Sequence, residues 1–198
     1  MIDLVHAAAI LGSACLGAFG WSLAEYWIHR EAGHNPKLLK KRLNVFGREH
    51  IAHHGKGDYF APTYKKLAGA VAAVVVLIGP AVLIAGPVLG SAFVFGFAGF
   101  YLYYELLHRL EHVYEGLGSY GRWARRHHFH HHFHNPRANH GVTSPLWDHV
   151  FGTHAEPGIV HVPERLAMRW LVDPATGDVH QHLQGMYALR KVPRNDAA

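Results

Sequence analysis

Two long stretches of the chain are almost entirely apolar, and the rest is polar and rich in histidine. The first stretch runs from Leu4 to about Ile28. A helix needs ~20 apolar residues, each rising ~1.5 Å, to cross the hydrocarbon layer of a bilayer. The pattern therefore predicts a membrane span at about residues 4–28. We expect this helix to be retained, not cleaved as a signal peptide, because no basic segment precedes it and it continues directly into EYWIHR.

The second apolar stretch, residues 67–107, is too long for one span and short for two. Gly-Pro occurs in it at Gly79–Pro80 and at Gly86–Pro87, and proline kinks a helix while glycine loosens it. We place a turn at 85–90, which predicts spans of about 67–84 and 91–110 in a hairpin that enters the bilayer and returns. A buried hairpin of a soluble protein would have a charged face, whereas this stretch has no charged residue before Glu105.

The basic residues indicate how this hairpin is oriented. All 19 Lys and Arg lie at Arg30 or later, and the predicted turn contains none. If the start of the chain and the turn lie outside, every basic residue falls on the cytoplasmic side, as the positive-inside rule expects. The segments KLLKKR (37–42) and RWARR (122–126) then face the anionic inner leaflet. We attribute the net charge of +5 to the membrane and expect no nucleic-acid partner.

These features predict an all-α fold, an integral-membrane helical bundle with a cytoplasmic cap. The cap is rich in histidine, and because its histidines form spaced clusters we expect it to hold a di-metal site. We expect one membrane-embedded domain over residues 1–198, with the cap formed by 29–66 and 111–198. The segment 155–198 contains no motif, and we expect it to cover the metal site with one short amphipathic helix near 163–171. The membrane would be the inner membrane of a bacterium or the endoplasmic reticulum of a eukaryote.

The chain contains 20 histidines, and their distribution indicates a metal site. They concentrate in four separate clusters: His29 with His34, HIAHH at 50–54, HRLEH at 108–112 and HHFHHHFH at 127–134. In the predicted topology all four reach the same membrane face, although they lie far apart in the chain. An affinity tag or a casual chelating tract would be contiguous. The single cysteine, Cys15, excludes a cysteine-ligated iron–sulfur cluster within this chain.

The spacing within the clusters suits imidazoles that point to a common site. The two histidines of HRLEH are one helical turn apart on one face. In HIAHH, His53 and His54 follow His50 by three and four residues, which is about one helical turn. We therefore expect the three rings to converge. His29 and His34 are five residues apart, which is off one helical face. We expect His34 to approach from a non-helical turn, because Gly33 and Asn35–Pro36 mark a helix end there.

The long tract leaves the choice of ligands open. H-x-x-H-H fits either His127, His130 and His131 or His128, His131 and His132. Ten imidazoles exceed what one ion holds, so we expect two ions with about five ligands each, plus open or bridging positions. Imidazole suits zinc, iron, copper and nickel alike, so the ligand type does not select the metal.

Two other functions are compatible with parts of this pattern. HRLEH also matches H-x-x-E-H, the inverted zinc-protease motif, in which His108 and His112 would be ligands and Glu111 the base. Such a zinc-dependent membrane hydrolase would leave the other three clusters without a role. A metal-transport or metal-binding membrane protein would place ionisable residues near the middle of the membrane, whereas these histidines lie at or beyond the predicted helix ends.

Four segments of the chain, EYWIHREAGH, HIAHH, ELLHRLEH and HFHHHFHNPRANHGVTSPLWDHVFGT, carry a family resemblance. Over roughly residues 24–154 the chain resembles the fatty acid hydroxylase/sterol desaturase superfamily of integral-membrane, non-haem di-metal oxygenases. The likeness is greatest to the catalytic domain of the fatty acid 2-hydroxylases. The histidine boxes in this order, followed by GVTSPLWDxVFGT, make the resemblance specific.

The resemblance implies the roles of individual residues. It places the last box on His128, His131 and His132, so that the ten implied metal ligands are His29, His34, His50, His53, His54, His108, His112, His128, His131 and His132. Glu105 stands where close relatives have an acid beside the site, and it is the implied catalytic residue, positioned to orient a ligand ring. Asn139 and Asp148 match the family tail, where they would be structural or would support the ligands from outside.

The resemblance also implies the reaction, which is O2-dependent hydroxylation or desaturation of an unactivated C–H bond in a lipid acyl or sterol-like chain. The implied cofactor is a pair of iron ions, which zinc can replace in isolated protein, and O2 is the co-substrate. The lipid would come from the bilayer. The chain has no HPGG-type segment of the haem domain that is fused to larger relatives, so an external cytochrome b5- or ferredoxin-like electron donor is expected.

Overall fold

The structure, a computed structural model, describes residues 3–57 and 59–191. The helical elements are α1 (Leu4–Trp27), a π-helical segment (Ile28–Gly33), α2 (Pro36–Leu39), α3 (Val45–Gly55), α4 (Thr63–Val113), α5 (Ser119–Phe133) and α6 (Leu146–Val150). Strands β1 (Val160–Pro163) and β2 (Tyr187–Arg190) and the 3-10 turns Glu164–Leu166 and Gln181–Leu183 complete the described elements. The prediction of a helical membrane-type chain is thereby confirmed, with a small strand pair that the sequence pattern did not indicate.

The chain forms two compact units. The first contains residues 3–27 and 61–107, and the second contains residues 28–57, 59–60 and 108–191. The first therefore holds α1 and most of α4, whereas the second holds the remaining elements and all ten histidines that were expected to be ligands.

In the first unit, α4 is folded back on itself at Gly86. This glycine has φ 77° and ψ 169°, a conformation that is essentially restricted to glycine. The two arms of α4 then run side by side, since Tyr101 Oη donates to Lys66 O at 3.0 Å. A Cβ on Gly90 would lie 2.5 Å from the backbone of Ala81. The turn expected at 85–90 and the hairpin are thus present, although the helical arms extend further than the predicted spans at both ends.

Small residues allow α1 to lie directly against the second arm of α4. A Cβ on Gly17 would lie 1.9 Å from Phe93 O, and one on Gly96 would lie 2.0 Å from Ala14 O. Helices in membranes commonly associate through such close backbone approaches, because lipid tails provide little hydrophobic driving force. Ser13 Oγ also donates to a backbone carbonyl of the other helix at 2.7 Å.

Two helical stretches, Leu4–Gly33 and Thr63–Val113, are long and apolar enough to cross a membrane. Only 11% and 6% of their most apolar windows are buried within the protein. The tip of the hairpin shows this most clearly, because Leu83 and Ile84 are 87% and 86% exposed. An apolar surface of this extent indicates a lipid environment.

The second unit has its own apolar core, formed where α5 packs on the parallel pair β1–β2. Phe129 and Phe133 of α5 are buried with Val160 and Val162 of β1. The helix expected near 163–171 is wrong: the chain forms β1 up to Pro163 and then only a three-residue 3-10 turn. Alternate residues of VHVP face this core, so burial favours a strand, and proline marks its end.

Candidate metal centre

Ten histidine side chains of the second unit form two compact groups, whose nitrogen atoms lie within 4.8 Å of one another in each group. The first group is His29, His34, His50, His54 and His131. The second group is His53, His108, His112, His128 and His132. The ten residues singled out from the sequence are therefore all brought together, from four separate segments of the chain.

Each H-x-x-H-H box is shared between the two groups. In HIAHH on α3, the outer pair His50 and His54 belongs to the first group and His53 to the second. On α5 the assignment is reversed, because the outer pair lies in the second group and His131 in the first. The expectation that three rings of one box converge is wrong. At ~100° per residue, positions i+3 and i+4 diverge to opposite sides of position i.

A π-helical turn brings His34 to the first group. The segment Ile28–Gly33 widens the helix immediately before His34, and single π-helical turns of this kind occur often at functional sites. The non-helical turn that was expected here is therefore replaced by a wider helical one. Gly33 is also required for space, since a Cβ there would lie 2.9 Å from the His50 ring.

The structure distinguishes the two possible ligand sets of the long tract. His128, His131 and His132 lie in the groups. His127 instead has Nε2 3.3 Å from a carboxylate oxygen of Asp148, and the ring of His130 stacks on the neighbouring His134. The set that the family resemblance implied is the one whose rings meet.

Backbone carbonyls fix the orientation of three of the ligand rings. In each case the ring Nδ1 faces a carbonyl oxygen: His29 to His140 O at 2.5 Å, His53 to Tyr59 O at 2.7 Å, and His131 to Ala138 O at 2.7 Å. A carbonyl only accepts hydrogen bonds, so Nδ1 must hold the proton. In the neutral ring the lone pair then lies on Nε2, which faces the centre of its group.

The distances between these Nε2 atoms fit ligands of a shared ion. In the first group, His34 Nε2 lies 2.8 Å from the Nε2 atoms of both His50 and His131. In the second, His53 and His108 approach through Nε2 at 2.9 Å. With metal–nitrogen bonds of about 2.0–2.1 Å, two ligands at right angles are about 2.9 Å apart. The ligand nitrogens therefore have the spacing of neighbouring positions around an octahedral ion.

Several buried ring nitrogens of the groups have no hydrogen-bond partner among the described residues. They include His29 Nε2 and His54 Nε2 in the first group and both ring nitrogens of His132 in the second. Buried polar atoms without partners destabilise a protein unless something satisfies them. A cation at the centre of each group would satisfy one nitrogen of each of these rings, so the residues present fit a pair of metal ions.

Burial keeps these histidines in the neutral form that binds metal. Desolvation, with a further contribution from the charge of His140, lowers the pKa of His34 to about 4. Desolvation, together with His34 and His53, lowers the pKa of His54 to about 2. The pKa values of His50, His128, His131 and His132 are also lowered, again mainly by burial. Neutral imidazole is the ligand form, so protons compete weakly with metal at neutral pH.

The end of α4 is held in place by Arg125 of α5. Its guanidinium is 1% exposed and Nε donates to Glu111 O at 2.8 Å, with a further bond to Tyr114 O. The last carbonyls of a helix lack partners within the helix, so this arginine both satisfies them and fixes α4 against α5. The second-group ligands of the two helices are thereby brought into register.

The geometry disfavours the zinc-protease interpretation of HRLEH. His108 and His112 do lie in one group, but with three further histidines. A catalytic zinc of this kind has about three protein ligands and an open position for water. The Glu111 side chain is fully buried, which does not suit a base that activates a solvent-derived water.

Glu105, the expected catalytic residue, lies in the first unit. Its carboxylate forms an ion pair with Lys66, which reaches it from the other arm of the α4 hairpin. Both side chains are largely buried, with 18% and 17% exposure. Neither the Lys66 contact nor the π-helical turn before His34 was indicated by the sequence. The first depends on where the hairpin folds, and the second has only the unusual five-residue spacing as a signal.

Comparison with known proteins supports these observations. A family model described as "Fatty acid hydroxylase" matches residues 14–153. The chain is 31% identical over 147 residues to the ceramide very long chain fatty acid hydroxylase SCS7 of Saccharomyces cerevisiae, which covers 72% of this chain and 38% of the yeast protein. It is 31% identical over 150 residues to human fatty acid 2-hydroxylase, covering 72% of this chain and 39% of the human protein.

A solved structure has a similar fold. Described as full-length scs7p with only the hydroxylase domain visible, it gives a TM-score of 0.61 at 26% identity and covers 77% of this chain and 58% of that one. A plant relative, dihydroceramide fatty acyl 2-hydroxylase FAH2 of Arabidopsis thaliana, is 28% identical and matched over 60% of its length. The match thus spans about two fifths of the yeast and human relatives.

Proposed function

This chain belongs to the fatty acid hydroxylase family, and on that basis we propose that it is an O2-dependent, non-haem di-iron hydroxylase that acts on a lipid acyl chain. The single observation that supports this most strongly is the pair of five-histidine groups in one folded unit. Relatives matched over the same region are named as hydroxylases of fatty acids or ceramides. Desaturation of the acyl chain is the other reaction type to be distinguished.

Bound metal ions and the protein would make different contributions to the reaction. When bound, a pair of iron ions would supply the activation of O2 and the removal of hydrogen from an unactivated C–H bond. The protein would supply ten imidazoles, five for each ion, and it fixes three of them through backbone carbonyls that accept from Nδ1. Their burial excludes bulk water, which protects a reactive oxidising centre from side reactions.

Glu105 is proposed as the catalytic carboxylate. It stands where the family resemblance implies an acid, and it is largely buried beside Lys66. The ion pair with Lys66 fixes the position of this carboxylate. Glu105→Gln should therefore reduce turnover while leaving the metal content unchanged, whereas a merely structural role would change both together or neither.

The substrate and the electron source are also part of the proposal. We propose the acyl chain of a fatty acid or ceramide, with carbon 2 as the first position to examine, because the relatives include fatty acid 2-hydroxylases. Electrons would come from a separate cytochrome b5- or ferredoxin-like protein. The metal centre would lie on the cytoplasmic face, since the basic residues are distributed as the positive-inside rule expects for that side.

Metal analysis joined to lipid profiling tests the proposal. The protein is expressed in a host without such an activity, and lipids are compared between the wild type, His53→Ala and the control His180→Ala, which lies outside both groups. We expect an acyl chain with one added oxygen atom in the wild type and the control, and none in His53→Ala. Labelled O2 should supply that oxygen, and the purified protein should contain bound metal.

Three outcomes would overturn the proposal. A product that lacks two hydrogens and has gained no oxygen would indicate a desaturase. An unchanged lipid profile in protein that is folded, metal-loaded and supplied with a working reductant would exclude a lipid oxygenase. Peptide cleavage that survives His53→Ala would instead identify a hydrolase built on HRLEH.

A further inference from the structure

The loop at residues 138–141 contacts two ligands of the first group and contains no ligand itself. Ala138 O accepts from His131 Nδ1 at 2.7 Å, and His140 O accepts from His29 Nδ1 at 2.5 Å. The loop therefore determines which nitrogen of each ring faces the ion. In the second group the corresponding carbonyl belongs to Tyr59, a different segment of the chain.

Asn139 holds the part of the loop between these two carbonyls. It is fully buried and has φ 57°, a left-handed conformation that asparagine tolerates better than most residues. Its side chain bonds both backbone groups of Ala155, accepting from N at 2.7 Å and donating to O at 2.8 Å. Its own N–H donates to Thr153 O at 2.9 Å. This conformation turns the carbonyls on either side toward the two ligand rings.

Asp148 holds the second half of the same loop. One carboxylate oxygen accepts from His140 N at 2.8 Å and from Thr153 Oγ1 at 2.7 Å, and the other accepts from Gly141 N at 2.8 Å. Asp148 is fully buried. Burial by itself would raise the pKa of its carboxyl, but the hydrogen bonds from His127, Gly141, Thr153 and His140 lower it overall, so the residue is an ionised acceptor within the protein.

We infer that Asn139 and Asp148 are positioning residues for the first metal ion, acting through the 138–141 loop on the orientation of His29 and His131. Neither residue belongs to either histidine group. The inference rests on the proposal that the two groups bind metal, but it does not depend on the reaction that follows. Outer hydrogen bonds of this kind typically contribute 10–100-fold in metal affinity. The effect should be confined to one of the two ions. Among the described hydrogen bonds, the loop reaches ligands of the first group and none of the second.

The test measures metal affinity and stoichiometry of the full chain in detergent, with Co2+ as probe and its visible absorption as the signature of ligand geometry. The variants are Asp148→Asn, Asn139→Ala and Asn139→Gly; the last retains the left-handed backbone and loses only the side-chain bonds. The matched control is Asp173→Asn, since Asp173 is a half-buried carboxylate remote in sequence from the loop that also accepts a backbone N–H, from Ala175 at 2.8 Å. Circular dichroism reports whether each variant is folded.

We expect wild type and control to bind two Co2+ ions with similar spectra. Asp148→Asn and Asn139→Ala should bind one ion normally and the other at least 10-fold more weakly, with Asn139→Gly in between. Unchanged affinity for both ions in folded variants would overturn the inference, and so would equal weakening of both ions. If Asp148→Asn does not fold, the comparison of Asn139→Gly with wild type decides the question. Lack of hydroxylated lipid in the wild type would refute the proposed function and leave this result standing.

Discussion

His54 and His132 lie face to face, with ring centroids 3.9 Å apart and planes inclined by only 2°, although they belong to different histidine groups. The two groups are therefore adjacent, and one histidine from each forms the boundary between them. This contact would place the two expected ions next to each other, as the proposed di-metal reaction requires. It also means that the environment of one ion depends on a ligand of the other.

The shared boxes give a prediction about pairs of substitutions. His50→Ala with His131→Ala removes two ligands from the first group, whereas His50→Ala with His53→Ala removes one from each. The first pair should leave about one ion per chain, because the second group is intact, while the second pair should weaken both. Metal analysis of purified protein after dialysis checks this. Equal losses in both double variants would contradict the assignment of ligands to groups.

Gly33→Ala should disturb the first group without removing a ligand. The added Cβ would lie 2.9 Å from the His50 ring, so the ring must move and its metal bond is lost or lengthened. We expect weaker binding of one ion and a loss of hydroxylation of 10-fold or more, in line with the effect of small displacements at reacting centres. Gly55→Ala is the matched control, because a Cβ there meets nothing within 4 Å. Similar behaviour of the two variants would show that the spacing is not critical.

Arg125→Met should destabilise the second unit. The guanidinium is buried and satisfies carbonyls at the end of α4, so its loss leaves them without partners at a cost of about 2–4 kcal/mol. Arg122 also donates to a backbone carbonyl, Leu117 O at 2.9 Å, but on the exposed surface. Arg122→Met should therefore change stability by no more than about 0.5 kcal/mol. Thermal melts of the metal-free protein measure both, and equal losses would count against the role assigned to Arg125.

Gly86→Ala should destabilise the α4 hairpin. Alanine in this conformation is strained by about 1–3 kcal/mol, and the two arms would no longer fold back without distortion. Gly79→Ala, in the helical arm with nothing within 4 Å of the new Cβ, should be neutral or slightly stabilising. The comparison is made by thermal melting in detergent and by the yield of folded protein. A melting temperature for Gly86→Ala equal to that of Gly79→Ala would refute the requirement for glycine at the turn.

The metal-free protein should lose stability as the pH falls below about 6.5. Unfolded histidines take up protons near that pH, whereas burial holds the pKa of His34 at about 4 in the folded state. Between these values the unfolded chain binds more protons, so stability rises with pH and levels off above 6.5. His34→Gln should give a shallower dependence from pH 4 to 6.5 and no difference in slope at higher pH. Melting curves across this range test it, and a parallel dependence in both proteins would contradict the expected shift.

Much of this architecture follows from the sequence, because its main signals are long and redundant. The apolar runs require no tertiary information, and the turn at Gly86 is indicated by its own proline neighbour. The histidine ligands could be predicted as a set, since an isolated imidazole has many roles but four spaced clusters have few. Their division between the two groups could not be predicted, because it depends on how α3 and α5 face each other. The π-helical turn before His34 and the left-handed conformation of Asn139 are local backbone conformations that depend on tertiary packing.

Each histidine box, on α3 and on α5, is divided between the two groups, and this division constrains the evolution of the protein. Neither helix contributes to one histidine group alone, so a slip of either helix by a single residue would displace histidines of both groups. A helix shift that improved the geometry of one group would therefore disrupt the other group. The pair of sites is inherited as one unit, and drift in this family should accumulate in the lipid-facing helices before it reaches the spacing of these histidines.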